Sequence, residues 1–123
     1  MPDPTEYLEV VGESYYTAAF EAIFQSEGRT ITSRGTDITE LDCVLVAEPW
    51  SDYDSNAVAV IVKGSCVGHL GAQTDAPRYS PVLIALAKRK QVLCGTARVW
   101  ARREPDGRVF ASATVQVAPP WAL

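Results

Sequence analysis

The stretch "EPWSDYDSNAVAV", residues 48–60, is the most informative part of the chain, because a crowded polar loop runs directly into a core strand. Its last residues, with Val58 and Val60 separated by a small side chain, are typical of a buried strand. The nine positions before the strand instead hold acids, an asparagine and two large aromatic side chains, Trp50 and Tyr53. Residues of this kind either shape a turn or present side chains to a ligand, and both alternatives stay open at this point.

Further strands are predicted wherever apolar residues alternate with polar or small ones. The clearest pair flanks "EPDG" (104–107), since Asp-Gly between two alternating runs is a strong hairpin signal. A second tight turn is expected near Gly64. The stretch 41–48 should place Leu41, Cys43, Leu45 and Ala47 on one face. The predicted strands are 7–12, 41–48, 57–64, 65–71, 92–103 and 108–118, and residues 29–40 are predicted to form a loop.

Two helices are predicted between these strands. Residues 14–28 place Phe20, Ile23 and Phe24 on one side at helical spacing, and Gly28 is a suitable stop. The second helix is expected to begin near Ser80, because proline fits only the first turn and Pro81 therefore sets the start. Its predicted apolar side consists of Leu83, Leu86 and Ala87, and the run Lys88-Arg89-Lys90 lies at its C-terminal end, where the helix dipole favours cations.

The order of these elements predicts a mainly β fold with two α-helices. Five or six strands with mostly hairpin-like connections are expected to close as a small, partly open β-barrel of the OB or SH3 type. The 123 residues fit a single domain, taken as 1–123, with a closing hairpin at about 92–118. A chain of this length buries a core without disulfides.

The cysteine and histidine content limits the kinds of site the chain can hold. Cys43, Cys66 and Cys94 are odd in number and far apart, and His69 is the single histidine. Neither a disulfide framework nor a zinc site is therefore expected, and no cofactor is predicted. The N-terminus has no basic region followed by an apolar run, and no stretch approaches membrane-spanning length, so a cytoplasmic protein is expected.

The net charge of -4 is unevenly distributed along the chain. Residues 1–62 carry two basic and twelve acidic side chains, which gives 2 - 12 = -10. Residues 63–123 carry nine basic and three acidic ones, which gives 9 - 3 = +6. The negative total argues against a bulk nucleic-acid coat protein, while the second half suggests a basic face if the fold keeps the halves apart.

Enzymatic motifs are missing from the sequence. It contains no GxxxxGK[ST], GxGxxG, GxSxG or HExxH pattern, so no enzymatic activity is predicted. Asp52 and Asp54 lie on one side of an extended segment, as a catalytic pair or magnesium ligands would, but acids in such a loop are more often turn formers. Asn56 is expected to pin the loop through hydrogen bonds from its side chain to the backbone.

Four segments follow one another along the chain: "VVGESYYTAA" (10–19), "EPWSDYDSNAVAV" (48–60), "CVGHLG" (66–71) and "DAPRYSPVL" (75–83). In this order they resemble the HIRAN domain family in its stand-alone bacterial form, and the similarity covers about residues 8–100. The chain departs from the family pattern at two places in these segments. Ser14 precedes the two tyrosines where the family's helicase member has a basic residue, and Ser51 and Asp52 stand where the family has Asn-Pro. The chain also has Gly71-Ala72 where the family has a lysine.

The resemblance implies an OB-like fold that binds single-stranded DNA at a free 3′-hydroxyl end, in DNA repair, replication or mobile-element processing. By this resemblance Tyr15 and Tyr16 stack on terminal bases, and Tyr53 lies in the end-binding loop. Asp54 accepts a hydrogen bond from the terminal hydroxyl, and His69 lines the same pocket. Trp100 matches an aromatic position on a later strand. Together the predicted DNA-binding residues are Tyr15, Tyr16, Tyr53, Asp54, His69 and Trp100, and no catalytic or metal-ligating residue is predicted.

Structural roles are the alternative for each of these residues. The two tyrosines are equally suited to packing a helix start on the barrel, and His69 to bonding a backbone carbonyl. Asp54 and Asn56 are suited to shaping the turn alone. Trp50 fits either the core or the rim. The corresponding alternative function is a protein-interaction or structural module with the same fold and no DNA groove. A protein partner is therefore the second possibility, and oligomeric state is left open.

Overall fold

Six antiparallel strands form a closed barrel in the computed structural model, which describes residues 4–123. The strands are hydrogen bonded in the order β1-β4-β3-β2-β5-β6, and β1 pairs with both β4 and β6. The predicted mainly β fold with two helices and a small barrel is confirmed, and the barrel is closed where a partly open one was expected. The strands are β1 (Glu6–Val11), β2 (Thr36–Ala47), β3 (Val58–Val62), β4 (Ser65–Leu70), β5 (Leu93–Arg103) and β6 (Val109–Val117).

The closing seam between β1 and β4 is narrow. It consists of the pairs Val10↔Leu70 and Val11↔His69, whereas β1 and β6 share four pairs. The hairpins are as predicted, with Gly64 in the β3–β4 turn and Gly107 in the β5–β6 turn, both at positive φ.

β2 begins earlier than the sequence indicates, and the loop prediction for 29–40 is wrong from Thr36 onward. The pairing of β2 with β5 shifts register between Ile38 and Leu41, and Glu40 has a φ of 58°. The irregularity turns Ile38 and Leu41, three residues apart, toward the same buried side. This spacing breaks the two-residue period on which a strand prediction depends. Beyond it the predicted face is confirmed, with Leu41, Cys43 and Leu45 buried and Ala47 partly buried.

The first helix, α1 (Thr17–Ser26), starts three residues later than predicted. Gly12 lies in the left-handed region and leads into a single 3-10 turn at Glu13–Tyr15, so the chain changes direction before the helix begins. The predicted apolar side is correct, because Phe20, Ile23 and Phe24 are all fully buried. Gly28, at a φ of 68°, ends the helix as expected.

The second helix, α2 (Ala76–Lys88), contradicts the predicted start near Ser80. Pro77 occupies the first turn and Pro81 lies inside the helix. Pro81 removes one hydrogen bond, to the carbonyl four residues before it. Burial of Ala76 and Tyr79 on the N-terminal side keeps the helix continuous. Asp75 is the N-cap residue but makes no side-chain capping bond, and of the predicted apolar side Leu83 and Leu86 are buried whereas Ala87 is exposed.

The acidic and basic halves of the chain are interleaved by this topology. Arg78 pairs with Glu6 at 2.8 Å and Arg103 with Glu21 at 2.9 Å, so cations of the second half meet acids of the first. The sequence hint of one basic face is therefore not realised over the whole second half. No helix of residues 4–123 combines the length and the apolar character that crossing a membrane requires.

A buried tyrosine ties α2 to two strands of the barrel. The hydroxyl of Tyr79 lies in hydrogen-bond range of the Glu6 carboxylate and 3.0 Å from the carbonyl oxygen of Ala118. Burial first, and then the bond to Glu6, raise the pKa of Tyr79 well above its ordinary value near 10. The phenol therefore stays neutral in the folded protein at pH values where an unfolded chain would have lost the proton.

Replacing Tyr79 by phenylalanine should destabilise the protein by about 1.5–3 kcal/mol at pH 7, the range for a hydrogen bond to a charged group. Because the folded-state pKa is raised, the contribution is complete below pH 10 and is lost as pH rises above it. The gap between wild type and Tyr79→Phe in urea unfolding should thus narrow from pH 10 upward. Tyr7→Phe, at an exposed site, is the control. It should change neither the free energy of unfolding at pH 7 nor its dependence on pH. A gap that widened with pH would contradict this assignment.

Candidate functional site

The site is built on a bulge in β4. The pairing of β3 with β4 shifts register between Val60 and Ile61, opposite Gly68. Val67 and Leu70 are buried, while Cys66 and His69 are partly exposed. In a regular strand Cys66 and His69, three positions apart, would point to opposite faces. The bulge instead turns both to the outside of the barrel.

Glycine is required at the bulge for two reasons. Gly68 has a φ of 153°, which side-chain-bearing residues rarely adopt. A Cβ atom built there would lie 2.5 Å from the carbonyl oxygen of Val11 and 2.6 Å from Cγ1 of Val10, so β1 passes directly against it. The same residue thus permits the β1–β4 seam and orients His69.

His69 lies between Tyr16 and Glu48, the first residue of the loop at 48–57. Its ring lies 5.9 Å from that of Tyr16, centroid to centroid, at an angle of 48°. Its Nε2 is 2.7 Å from Oε1 of Glu48. A carboxylate only accepts, so Nε2 is the donor in this bond and the ring orientation is fixed. The alternative that His69 bonds a backbone carbonyl is replaced by this side-chain pair.

The phenol of Tyr16 is held neutral by its surroundings. Burial is the largest cause that raises the pKa of Tyr16, followed by the neighbouring Cys66 thiol and then the Glu48 carboxylate. Tyr16 is the N-cap residue of α1, and its carbonyl accepts from the N–H groups of Ala19 and Phe20. The backbone of Tyr16 therefore begins the helix while its ring lies beside His69, and its stacking role stays a prediction.

The loop at 48–57 is closed by its own backbone. Glu48 N–H donates to the carbonyl of Ala57 at 2.8 Å, and Ala57 N–H donates to that of Asp54 at 3.0 Å. Oδ1 of Asp54 accepts the N–H of Asn56 at 2.8 Å. The expectation that the Asn56 side chain pins the loop is thus reversed, since the Asp54 side chain makes that bond. Oδ2 of Asp54 accepts no hydrogen bond from the residues that the structure describes.

Aromatic side chains around this region are unusually exposed. Tyr15 is 87% exposed, Trp50 is 69% exposed, and Tyr53 is fully exposed at the tip of the loop. The question left open for Trp50 is answered, because it lies on the rim and not in the core. Apolar rings are costly to leave in water, and exposed aromatic side chains are a feature of recognition surfaces.

Trp100 does not belong to this site. In the closed order β1-β4-β3-β2-β5-β6, three steps separate β5 from β4 in either direction, so the two strands are on opposite walls. The side chain of Trp100 alternates with buried Val99 and Ala101 and therefore points outward. Its ring lies on Gly35 and near the guanidinium of Arg102, 6.0 Å from the centroid. Trp100 thus lies apart from Tyr16 and His69, which sequence order could not show, and its role in DNA binding stays a prediction.

The group around His69 consists of Tyr16, Glu48, Cys66 and His69. Neither Glu48 nor Cys66 is selected as a site residue by the sequence. Cys66 precedes His69 by three positions with a glycine between them, and a glycine inside a strand is a signal for a bulge. Glu48 carries no signal beyond its place at the start of the loop. Within residues 4–123, no three or more His, Cys, Asp or Glu side chains gather as metal ligands.

Neither a protein-family model nor a curated protein matches the chain. Two solved structures are similar to it. Both are HIRAN domains. The crystal structure of the HIRAN domain of human HLTF is 19% identical, with a TM-score of 0.38, and the match covers 93% of this chain and 76% of that one. The NMR structure of the HLTF HIRAN domain in its DNA-bound conformation is 16% identical, with a TM-score of 0.39, covering 96% and 78%.

These HIRAN domains belong to the family that the four sequence segments resemble. Of the six residues assigned by that resemblance, Tyr16 and His69 are in contact, and Tyr15 is adjacent along the chain. Tyr53 and Asp54 lie in the loop that Glu48 connects to His69. Trp100 is on the far wall.

Proposed function

We propose that the protein is a non-enzymatic module that binds single-stranded DNA and recognises a free 3′-hydroxyl end. The observation that carries the proposal is the group formed by Tyr16 and His69 on the outside of the barrel. Exposed rings stand at the preceding residue, Tyr15, and at Tyr53 in the loop whose first residue, Glu48, bonds His69. Stacking on an aromatic ring is worth about 1–3 kcal/mol per base and depends little on sequence. Two or three such contacts are sufficient for measurable binding of a short strand.

Asp54 supplies the group that distinguishes the end of the strand. Oδ1 is used by the loop, while Oδ2 accepts no hydrogen bond from residues 4–123 and can accept one from a terminal hydroxyl. A carboxylate repels phosphate, which disfavours an internal nucleotide at that position. The site thus selects an end by one acceptor and one repulsion, as the resemblance to the HIRAN family implies.

Contacts to phosphate are few in this proposal. Lys88-Arg89-Lys90 ends α2 just before β5, whereas Arg102 and Arg103 lie at the other end of that strand, roughly 30 Å away. Arg102 and Arg103 also pair with Glu104 and Glu21. No single basic face gathers all five residues, so two to four phosphate contacts are the expected number.

Fluorescence anisotropy with a labelled decamer tests the function. Tyr15→Ala and Tyr53→Ala should each weaken binding by about 5- to 150-fold, the equivalent of about 1–3 kcal/mol of stacking. Tyr7→Ala removes another exposed ring, from a position of β1 that pairs with Gln116 of β6, and should leave binding unchanged.

The salt dependence is a second readout of the same experiment. The slope of log K against log salt should be about -1.5 to -3 for two to four phosphates. A much steeper slope would assign binding to basic residues away from the tyrosines. Absence of binding at millimolar protein would reject the DNA-binding function altogether.

A further inference from the structure

A groove of about 420 Å³ opens between the end of β2, the 48–57 loop and the C-terminal half of α2. Its walls include none of the six residues assigned to DNA binding, although Pro49 and Trp50 belong to the loop that also carries Tyr53 and Asp54. Trp50 and Val92 stand at its edge, and both are more than half exposed. Its apolar walls are formed by Val46, Pro49, Trp50, Ile84, Ala87 and Val92.

The core of the protein does not account for these side chains. α2 packs on the barrel through Ala76, Tyr79, Leu83 and Leu86, which are buried. Ala87 lies on the solvent side of the same helix and lines the groove. Apolar residues gathered into one exposed groove mark protein contacts, and an exposed tryptophan is a frequent anchor in them.

The charge beside the groove is positive. Lys88 is part of its wall, and Arg89 and Lys90 follow directly and are exposed. In residues 4–123 none of these three forms an ion pair. Five other arginines are paired with acids, Arg78, Arg98, Arg102, Arg103 and Arg108, whereas Arg29 and Arg34 lie apart from each other in sequence and form no run of cations. The end of α2 is thus a concentration of positive charge left available to a partner.

We propose that this groove docks an acidic amphipathic segment of a partner protein. Large apolar side chains of the segment would occupy the groove beside Trp50, and its Asp and Glu residues would face Lys88, Arg89 and Lys90. A second copy placed groove to groove would bring two basic runs together and be repelled. The walls are largely aliphatic, which fits apolar side chains better than it fits the stacking of bases.

The test uses two synthetic 14-residue peptides with the same leucines and phenylalanine at helical spacing. One carries glutamate at every polar position and the other carries lysine. With ¹⁵N-labelled protein, the acidic peptide should shift the amides of Ala87, Gln91 and Val92 and the indole of Trp50. The basic peptide should bind at least tenfold more weakly. Equal binding of the two peptides, shifts elsewhere, or no shifts at 1 mM acidic peptide would overturn the proposal.

Variants separate the two parts of the groove. Trp50→Ala should weaken the acidic peptide about tenfold or more at any salt concentration. The double variant Lys88→Glu, Arg89→Glu should weaken binding of the acidic peptide mainly at low salt, where charges are least screened. Trp121→Ala, at another exposed tryptophan, is the matched control and should bind as wild type does.

Two further outcomes would show that the groove binds something other than an acidic segment of a partner protein. Sedimentation that shows a dimer abolished by Trp50→Ala would identify the groove as a contact between copies of the chain. A DNA decamer that shifts the same groove amides and competes with the peptide would assign it to nucleic acid. Either result would overturn the peptide proposal, and neither depends on the 3′-end mechanism.

Discussion

A DNA decamer ending in a 3′-hydroxyl should bind about 30- to 1000-fold more tightly than the same decamer ending in a 3′-phosphate. The difference corresponds to about 2–4 kcal/mol, from one lost charge-assisted hydrogen bond and one like-charge repulsion. We expect both effects at Oδ2 of Asp54, the oxygen that the loop leaves available. Anisotropy titrations with internally labelled decamers at one fixed salt concentration measure the ratio directly.

The choice of variant matters because Asp54 also closes the loop. Asp54→Ala would remove the bond to the N–H of Asn56 together with the charge, so a loss of binding would be ambiguous. Asp54→Asn keeps an oxygen for that N–H and places an amide NH₂ where Oδ2 stood. It should weaken the hydroxyl end, strengthen the phosphate end, and bring the ratio to within about threefold.

Asp52→Asn provides the matched control. It removes the same charge from the same loop, at an exposed position. It should raise the affinity for both decamers by a similar small factor and preserve their ratio. If the wild type binds both ends equally, or if Asp52→Asn abolishes the preference as fully as Asp54→Asn does, the end-recognition mechanism is rejected. DNA binding itself is then judged by the tyrosine variants alone.

The second large effect is expected at Gly68. Gly68→Ala should lower the free energy of unfolding by about 3 kcal/mol, and the melting temperature by roughly 10–15 °C. The new methyl group would be 2.5 Å from the carbonyl oxygen of Val11, a backbone atom that cannot move aside without opening the β1–β4 seam. A backbone φ of 153° adds conformational strain for any L-residue.

Gly28→Ala is the control that separates the cost of a positive φ from the cost of a steric clash with β1. Gly28 also has positive φ, 68°, but no atom lies within 4 Å of the place that an alanine methyl group would take. It should cost only about 1 kcal/mol, the ordinary penalty for a left-handed residue. Urea unfolding of both variants compares the two costs. Equal destabilisation would mean that close approach of β1 contributes nothing, and the account of the seam would be wrong.

Local patterns were sufficient for most of the secondary structure. Alternation and the Asp-Gly turn gave the β5–β6 hairpin, and helical spacing gave the buried face of α1, because both depend on residues close in the chain. The same patterns failed where neighbouring strands decide the outcome. The irregularity after Ile38 hid the start of β2, and burial of Tyr79 carried a helix through Pro81.

The sequence by itself determined most of the strands and the buried face of α1, and Tyr16 and His69 are among the six residues that its family resemblance selected. Only the tertiary structure decided what surrounds them. The bulge at Gly68 changes the phase of side chains along β4, so Cys66 joins His69 on the outside. Barrel closure sets the order of strands, so Glu48 reaches His69 while Trp100 faces away on the opposite wall. Periodicity within a strand predicts neither the bulge nor the order of strands, because both depend on contacts between segments far apart in the chain.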